Sequence, residues 1–316
     1  MLLRSTSALA VLFLATAAPA QDAFPSRPVT LIVPFSAGGT SDVIARLAAE
    51  QMGRALGQNV INENTAGAGG STALTRAARA APDGYTLAIG NIGTNAAAYT
   101  IYKDIKYAPE DFAPIGLVAK TVPVIAIKKD FPAKNLAEFI DYAKKNPGKV
   151  NLGHAGVGSS NYLICKAFTQ AAGIETQLVS YRGAAPALND LMGGQIDGVC
   201  DAAVSAAGAI QGGAARGLVI SSPTRLRALS DVPTAAEAGL PGFQLQGWNA
   251  IFAPKGTPEP VIAKLNAALR TAVASEAFQK RMEELGSLPA SGEELTPPYV
   301  AQFVTGEIDK TRKLLQ

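Results

Sequence analysis

The sequence predicts an α/β chain of two lobes with a cleft between them. Three observations carry that reading. Short β-branched runs alternate with stretches of helical period, the pattern of βαβ units. The alternation comes in two blocks, roughly residues 29–117 and 150–221. Three glycine-rich turns occupy the same place in these units, between a strand and a helix start.

In order along the chain, Val29-Thr-Leu-Ile-Val-Pro34 reads as a strand and Phe35-Ser-Ala-Gly-Gly39 as a turn. Thr40 or Ser41 can cap a helix whose apolar positions Val43, Ile44, Leu47, Ala48 and Met52 follow the 3.6 period, with Gly53 and Gly57 ending it. A strand at 59–62, a turn at Thr65-Ala-Gly-Ala-Gly-Gly70 and a helix from Ser71 follow. Pro82-Asp-Gly84 turns into a strand at 85–89. The unit recurs as a strand at 150–153, a turn at 155–158 and a helix opening at Ser159 or Ser160. Strands at 178–181 and 196–200 flank a helix from Ala185 to Met192. Residues 118–127 can cross from one lobe to the other, and Gly217-Leu-Val-Ile220 can return. The tail, 258–285 and 297–315, reads as helices. The expected division is 21–121 plus 224–316 for the first lobe and 122–223 for the second, with hinges near 121–124 and 220–223.

The first twenty residues read as an address. Met1-Leu-Leu-Arg4 is a short positive start, residues 8–18 are apolar, and Ala18-Pro-Ala20 has the small-x-small form of a secretory cleavage site. Residues 1–20 are therefore expected to be a cleaved leader and the mature chain to be exported. No later apolar run is long enough to span a bilayer. Export would place Cys165 and Cys200 where a disulfide is permitted, although both lie in apolar segments where free cysteine packs well.

Composition closes off several functions. One His and two Cys cannot build a Cys/His zinc module. A net charge of +3 from 28 basic and 25 acidic residues is no nucleic-acid footprint. Charged residues, at 17%, fall below the roughly 25% of an average soluble domain.

The glycine turns offer a site that needs few charges. A helix start leaves backbone N–H groups unpaired, the helix dipole adds positive potential there, and glycine lets a ligand approach. Together these bind anions. In open α/β sheets such turns lie beyond the carboxyl ends of the strands. Nucleotide motifs fail in detail: Gly69-Gly-Ser-Thr72 lacks the P-loop Lys, and Gly156-x-Gly158-x-x-Asn161 lacks the third dinucleotide Gly. A secreted serine hydrolase is the alternative. Pro34-Phe-Ser36-Ala-Gly38 has the setting of a nucleophile elbow, and Ser36, His154 and Asp201 can be drawn as a triad.

A longer series of motifs resembles one family. Phe24-Pro-Ser-Arg-Pro-Val-Thr-Leu-Ile-Val-Pro-Phe-Ser-Ala-Gly-Gly-Thr-Ser-Asp42 is similar to the opening of the tripartite tricarboxylate transporter substrate-binding proteins, the Bug family. The likeness continues through Glu63-Asn-Thr-Ala-Gly-Ala-Gly-Gly70, Ala80-Ala-Pro-Asp-Gly-Tyr-Thr-Leu87, Tyr181-Arg-Gly-Ala-Ala-Pro-Ala-Leu188, Gly194-Gln-Ile-Asp197, residues 231–241 and Ala253-Pro-Lys-Gly-Thr-Pro258. The resemblance implies a two-lobed type II periplasmic binding protein fold and a monomeric periplasmic receptor without cofactor, metal or catalytic residues. Its ligand would be a small carboxylate, a di- or tricarboxylate, an acidic amino acid or an aromatic acid such as terephthalate. The receptor would pass it to the large and small membrane subunits of a permease. Carried over residue by residue, the resemblance puts ligand contacts at Phe35, Ser36, Ala37 and Gly38, at Gly67, Ala68 and Gly69, and at Gly158, Ser159, Ser160 and Asp201.

Departures from the family pattern bear on ligand choice. Tyr162 stands where many members have His, His154 where small polar residues are usual, and Cys200 where Phe is common. These point to a wider wall and a larger or aromatic diacid, with Tyr162 and His154 as contacts. His154 can equally be a half-buried residue satisfied by backbone. Arg182 can pair with a distal carboxylate or stay solvated, and Trp248 with Asn249 can line the cleft or pack in the core.

Overall fold

In chain order the fold runs β1 (Val29–Val33), α1 (Thr40–Leu56), β2 (Val60–Asn64), α2 (Ser71–Ala78) and β3 (Thr86–Asn91). A π-helical turn, Gly93–Ala97, leads into α3 (Ala98–Ile101), then β4 (Phe112–Thr121) and β5 (Pro123–Lys128). There follow α4 (Leu136–Lys145), β6 (Asn151–His154), α5 (Ser160–Ala172), β7 (Gln177–Ser180), α6 (Ala184–Met192), β8 (Gly198–Ala202), α7 (Ala203–Gln211) and β9 (Ala215–Ile220). The chain closes with β10 (Gly247–Pro254), α8 (Glu259–Ala274), α9 (Glu276–Glu284), β11 (Ser287–Pro289) and α10 (Pro297–Leu315). This computed structural model describes residues 24–316, so the leader expected at 1–20 lies outside the described residues.

The strands form two sheets, one per lobe: β11-β4-β10-β3-β1-β2 and β7-β6-β8-β5-β9. Within each, the βαβ strands pair in parallel as the alternation predicts, β1 with β2 and β3, and β6 with β7 and β8. The crossing strands do not. β10 runs antiparallel to β3 and β4, and β5 antiparallel to β8 and β9. Both sheets are therefore mixed, because the chain enters and leaves each lobe by long connections that reverse direction. β4 and β5 meet at Val122, the first crossing. The second runs through residues 221–246, where Ser221 Oγ accepts from Leu245 N–H at 2.7 Å.

Each lobe has its own core. In the first, α1 turns Ile44, Ala45, Ala48, Met52 and Leu56 inward against Val29, Leu31 and Leu269. In the second, Phe139, Phe168 and Phe243 gather with Ile125, each ring worth roughly 2–3 kcal/mol when fully buried. Trp248 belongs to the first core, with Nε1–H donating to Glu307 Oε2 at 3.1 Å. Asn249 donates to Ser41 Oγ instead of opening to the cleft.

Two local expectations shift. Gly39, and not Thr40 or Ser41, caps α1. The strand expected at 196–200 starts two residues later, because Asp197 is spent bracing Asn151 N–H and Lys128. Cys165 on α5 and Cys200 on β8 form a disulfide. Cys200 is fully buried, so it does not widen a cleft wall.

Candidate functional site

The carboxyl ends of β1, β2 and β3 face those of β6, β7 and β8, and the turns that follow them meet. The first turn is stiff. Asp42 Oδ2 accepts from Gly38 N–H at 2.9 Å and from Arg46 Nε at 2.9 Å, and Oδ1 accepts from Asn64 at 2.8 Å. Burial alone would raise the Asp42 carboxyl, but bonds from Arg46, Gly38 and Asn64 outweigh it and hold it below the usual range. Ser36 N–H reaches across to donate to Arg182 O at 3.2 Å. Ser36 Oγ is buried with no partner within the chain. It fits because residue 183 is glycine: a Cβ there would sit 2.1 Å from that oxygen. Ala37 and Gly38 are exposed, with Gly38 against Ala185 at the start of α6.

The second turn is closer still. Gly69 sits at φ +60°, and a Cβ on it would lie 1.8 Å from Val157 O. Among the described residues, the N–H groups of Gly67, Ala68, Gly69, Val157 and Gly158 find no acceptor in the chain. A cavity of about 630 Å³ opens where these turns meet, lined by Gly67–Gly69, Tyr102, Ala155–Val157, Ser180–Arg182 and Pro186. It holds one cation, Arg182, and no carboxylate.

The third contact lies deeper. Gly93, in the π-helical turn, presses its backbone on α5: a Cβ would come within 2.4 Å of Ser160 N. Asn91 Oδ1 holds that turn by accepting from Gly93 and Thr94 N–H at 2.8 and 3.1 Å. Ser159 Oγ caps α5 by accepting from Tyr162 N–H at 3.1 Å. Ser160 Oγ lies 3.4 Å from Asn161 Oδ1. Asn161 Nδ2 donates to Cys200 O and, at 2.8 Å, to Asp201 Oδ1, which also takes Ala202 N–H. Burial pushes the Asp201 carboxyl up to about 6, against the pull of Ser205, Ala202 and Asn161.

His154 is buried with both ring nitrogens engaged. Nδ1 accepts from Gly156 N–H at 3.1 Å, which leaves the proton on Nε2, 3.3 Å from Ser180 Oγ. Burial lowers its basicity, so the ring is neutral and braces the 155–158 turn. The Tyr162 ring packs on it with centroids 5.3 Å apart. The hydrolase alternative is thereby corrected: no hydrogen bond joins any two of Ser36, His154 and Asp201, since the imidazole is spent on Gly156 and Ser180 and the carboxylate on Asn161 and Ala202.

Of the residues expected at the site, Gly67, Ala68 and Gly69 line the cavity. Phe35, Ser36, Ala37, Gly38, His154, Gly158, Ser159, Ser160, Tyr162 and Asp201 are not among its lining residues; they lie in the turn after β1, at the end of β6, in the turn before α5 and its first residues, and on β8. Tyr102, Ser180, Tyr181, Pro186, Asn91 and Gly93 were not expected there. The carboxyl-end rule applied to the strand at 178–181 would have found Ser180 and Tyr181, and Gly90-Asn-Ile-Gly93 is a fourth glycine turn at a strand end.

The family model for the tripartite tricarboxylate transporter family receptor matches residues 44–316. MatC of Rhodopseudomonas palustris, solved with bound malate, is 40% identical over 93% of this chain and 100% of its own, with a TM-score of 0.89. The periplasmic binding protein BugD is 38% identical, covering 92% and 97%, with a TM-score of 0.89. A second R. palustris protein, solved with adipate, is 32% identical, covering 92% and 97%, with a TM-score of 0.88.

Proposed function

This chain belongs to the tripartite tricarboxylate transporter receptor family, whose members are binding receptors and not enzymes, and from that premise we propose that it captures a short aliphatic dicarboxylate between its lobes. The observation that carries the reading is the meeting of two turns, 67–69 and 155–158, whose unpaired amides at Gly67, Ala68, Gly69 and Val157 line one cavity that holds a single cation and no carboxylate. Such amides bind a carboxylate without a fixed countercharge. The Ser36 hydroxyl, buried against Gly183, is a further unspent partner, one residue along from the Arg182 of that lining. Likeness to proteins solved with malate and adipate supports a diacid of four to six carbons.

In this reading the lobes are 21–121 plus 224–316 and 122–223, except that residues 235–243 of the second crossing pack into the second lobe's core and move with it. They close about hinges near 121–124 and 220–223, and the ligand favours closure through its greater affinity for the closed state. Gly67, Ala68, Gly69, Gly158, Ser159 and Ser160 hold the anion. Phe35, Ser36, Ala37 and Gly38 bound it from the first lobe and Asp201 from the second. Two supports for an aromatic ligand weaken: Cys200 is in a disulfide and His154 is occupied by the 155–158 turn. The receptor works in the periplasm and hands its ligand to the two membrane subunits of a permease. The leader expected from the sequence of residues 1–20 and a disulfide suited to an oxidising compartment support that placement.

Thermal unfolding with succinate, malate, adipate, citrate, glutamate and terephthalate tests it. A ligand at a hundred times its Kd raises the Tm by about 4 °C for a chain of this size. Succinate, malate or adipate is expected to do so. A Tm unmoved by every carboxylate refutes the reading.

A further inference from the structure

Tyr102 stands where both glycine turns come within reach of its side chain. It follows the one-turn helix α3 in extended conformation, φ −102° and ψ 115°, which carries the side chain off the first lobe. Its hydroxyl has one hydrogen and two acceptors. Ala68 O, on its own lobe, lies at 3.1 Å, and Val157 O, on the opposite lobe, at 2.5 Å. The ring fills the space that two glycines leave. A Cβ on Gly158 would lie 2.7 Å from the ring, and one on Gly69 would lie 2.9 Å from the hydroxyl.

We propose that Tyr102 is the latch of the closed receptor, a positioning residue that lengthens ligand residence by holding the two lobes together. When the lobes part, the bond to Val157 O breaks, but Ala68 O remains as an acceptor within the first lobe. Opening therefore leaves no buried donor unsatisfied, but it gives up the shorter of the two bonds and strips Val157 O of its partner. That makes the latch weak enough to release and strong enough to bias. Other pairs join the lobes elsewhere: Ser36 N–H donates to Arg182 O, and Thr40 Oγ1, at the start of α1, lies 2.8 Å from Ser205 Oγ on α7. The latch rests on the cleft being the ligand site, the reading given above.

The test is Tyr102→Phe, which keeps the ring over both glycines and removes only the hydroxyl. Interlobe distances from paired spin labels, one on each lobe, give the closed-to-open ratio without ligand and with excess succinate, malate or adipate. Stopped-flow gives the rate constants. The ratio is expected to fall about fivefold, with koff rising about fivefold, kon unchanged and the Tm of the free chain little moved. A fall in the ratio while no diacid shifts it in either protein would sustain the latch and refute the dicarboxylate reading. An unchanged ratio and koff in Tyr102→Phe overturns the latch. So does a wild type in which no condition populates the closed state.

Discussion

Replacing Gly69 with alanine separates two costs that usually arrive together. The first is backbone: at φ +60° a side chain costs about 1–2 kcal/mol, and the open and closed forms bear it alike. The second is contact. The added Cβ lies 1.8 Å from Val157 O, whereas ordinary C···O contact begins near ~3.3 Å, so the turns must part by about 1.5 Å. That displacement takes Tyr102 out of reach of Val157 O, now at 2.5 Å, and separates the amides on the two turns. Two hydrogen bonds to a charged ligand are worth about 3–5 kcal/mol, which is a loss of roughly two to three decades in affinity. Gly57 supplies the control. It ends α1 at φ +69° with nothing within 4 Å of an added Cβ, so Gly57→Ala bears the first cost without the second. Calorimetry on wild type, Gly69→Ala and Gly57→Ala, with the diacid that raises the Tm most, should show similar small losses of Tm in both variants. A collapse of affinity is expected in Gly69→Ala alone. Equal affinities in the two variants would refute the close approach of the turns.

Two further expectations concern the second lobe. The Asp201 carboxyl is raised to about 6 in the folded chain, so its contribution to stability is fully present below its unfolded pKa and is lost as pH rises through 6, by roughly 3 kcal/mol. His154, with lowered basicity, acts in the opposite sense, its contribution being lost as pH falls below its ordinary range. Asp201→Asn keeps an acceptor for Asn161 and Ala202, and denaturant titrations between pH 4 and 7 should show the loss with rising pH abolished; an unaltered slope would show that burial does not govern this carboxyl. Reducing the Cys165–Cys200 bridge, or replacing both with alanine, removes a cross-link closing a loop of 35 residues and is expected to cost about 2–4 kcal/mol of unfolding free energy, read in the same titration. A stability unchanged by reduction would count against the bridge.

Local units were legible in the sequence where chemistry is local. The turn at 155–158 and the helix cap at Ser159 follow from glycine, a serine and apolar period, and α10 occupies the stretch read as a terminal helix. The expected site residues came chiefly from the family resemblance, which the helix-start argument supports for the glycine turns. What escaped depends on distance along the chain. The insertion of β10 between β3 and β4 pairs Asn249 with Asn91 across half the chain, and no local pattern reports such a register. Tyr102 follows a helix too short to show a period, and its partners Ala68 and Val157 belong to different turns. For His154 the sequence leaves a ligand contact and a half-buried residue satisfied by backbone equally open. Its task is set by Gly156 N–H and Ser180, contacts that composition cannot show. The disulfide needed a geometry between α5 and β8 that spacing alone leaves undetermined.

The place of β10 also dictates an order of assembly. All five strands of the second sheet lie between residues 123 and 220, so that lobe has its full set of strands as soon as that stretch of chain is available. The first sheet has β1 to β4 much earlier, but its middle position stays empty until residues 247–254 arrive. Until then β3 and β4 present two unpaired edges to one another, apolar and inviting to any other extended chain. A polypeptide made from its N-terminus thus completes its second lobe first and its first lobe last. The interval between them is when this chain is most exposed to mispairing.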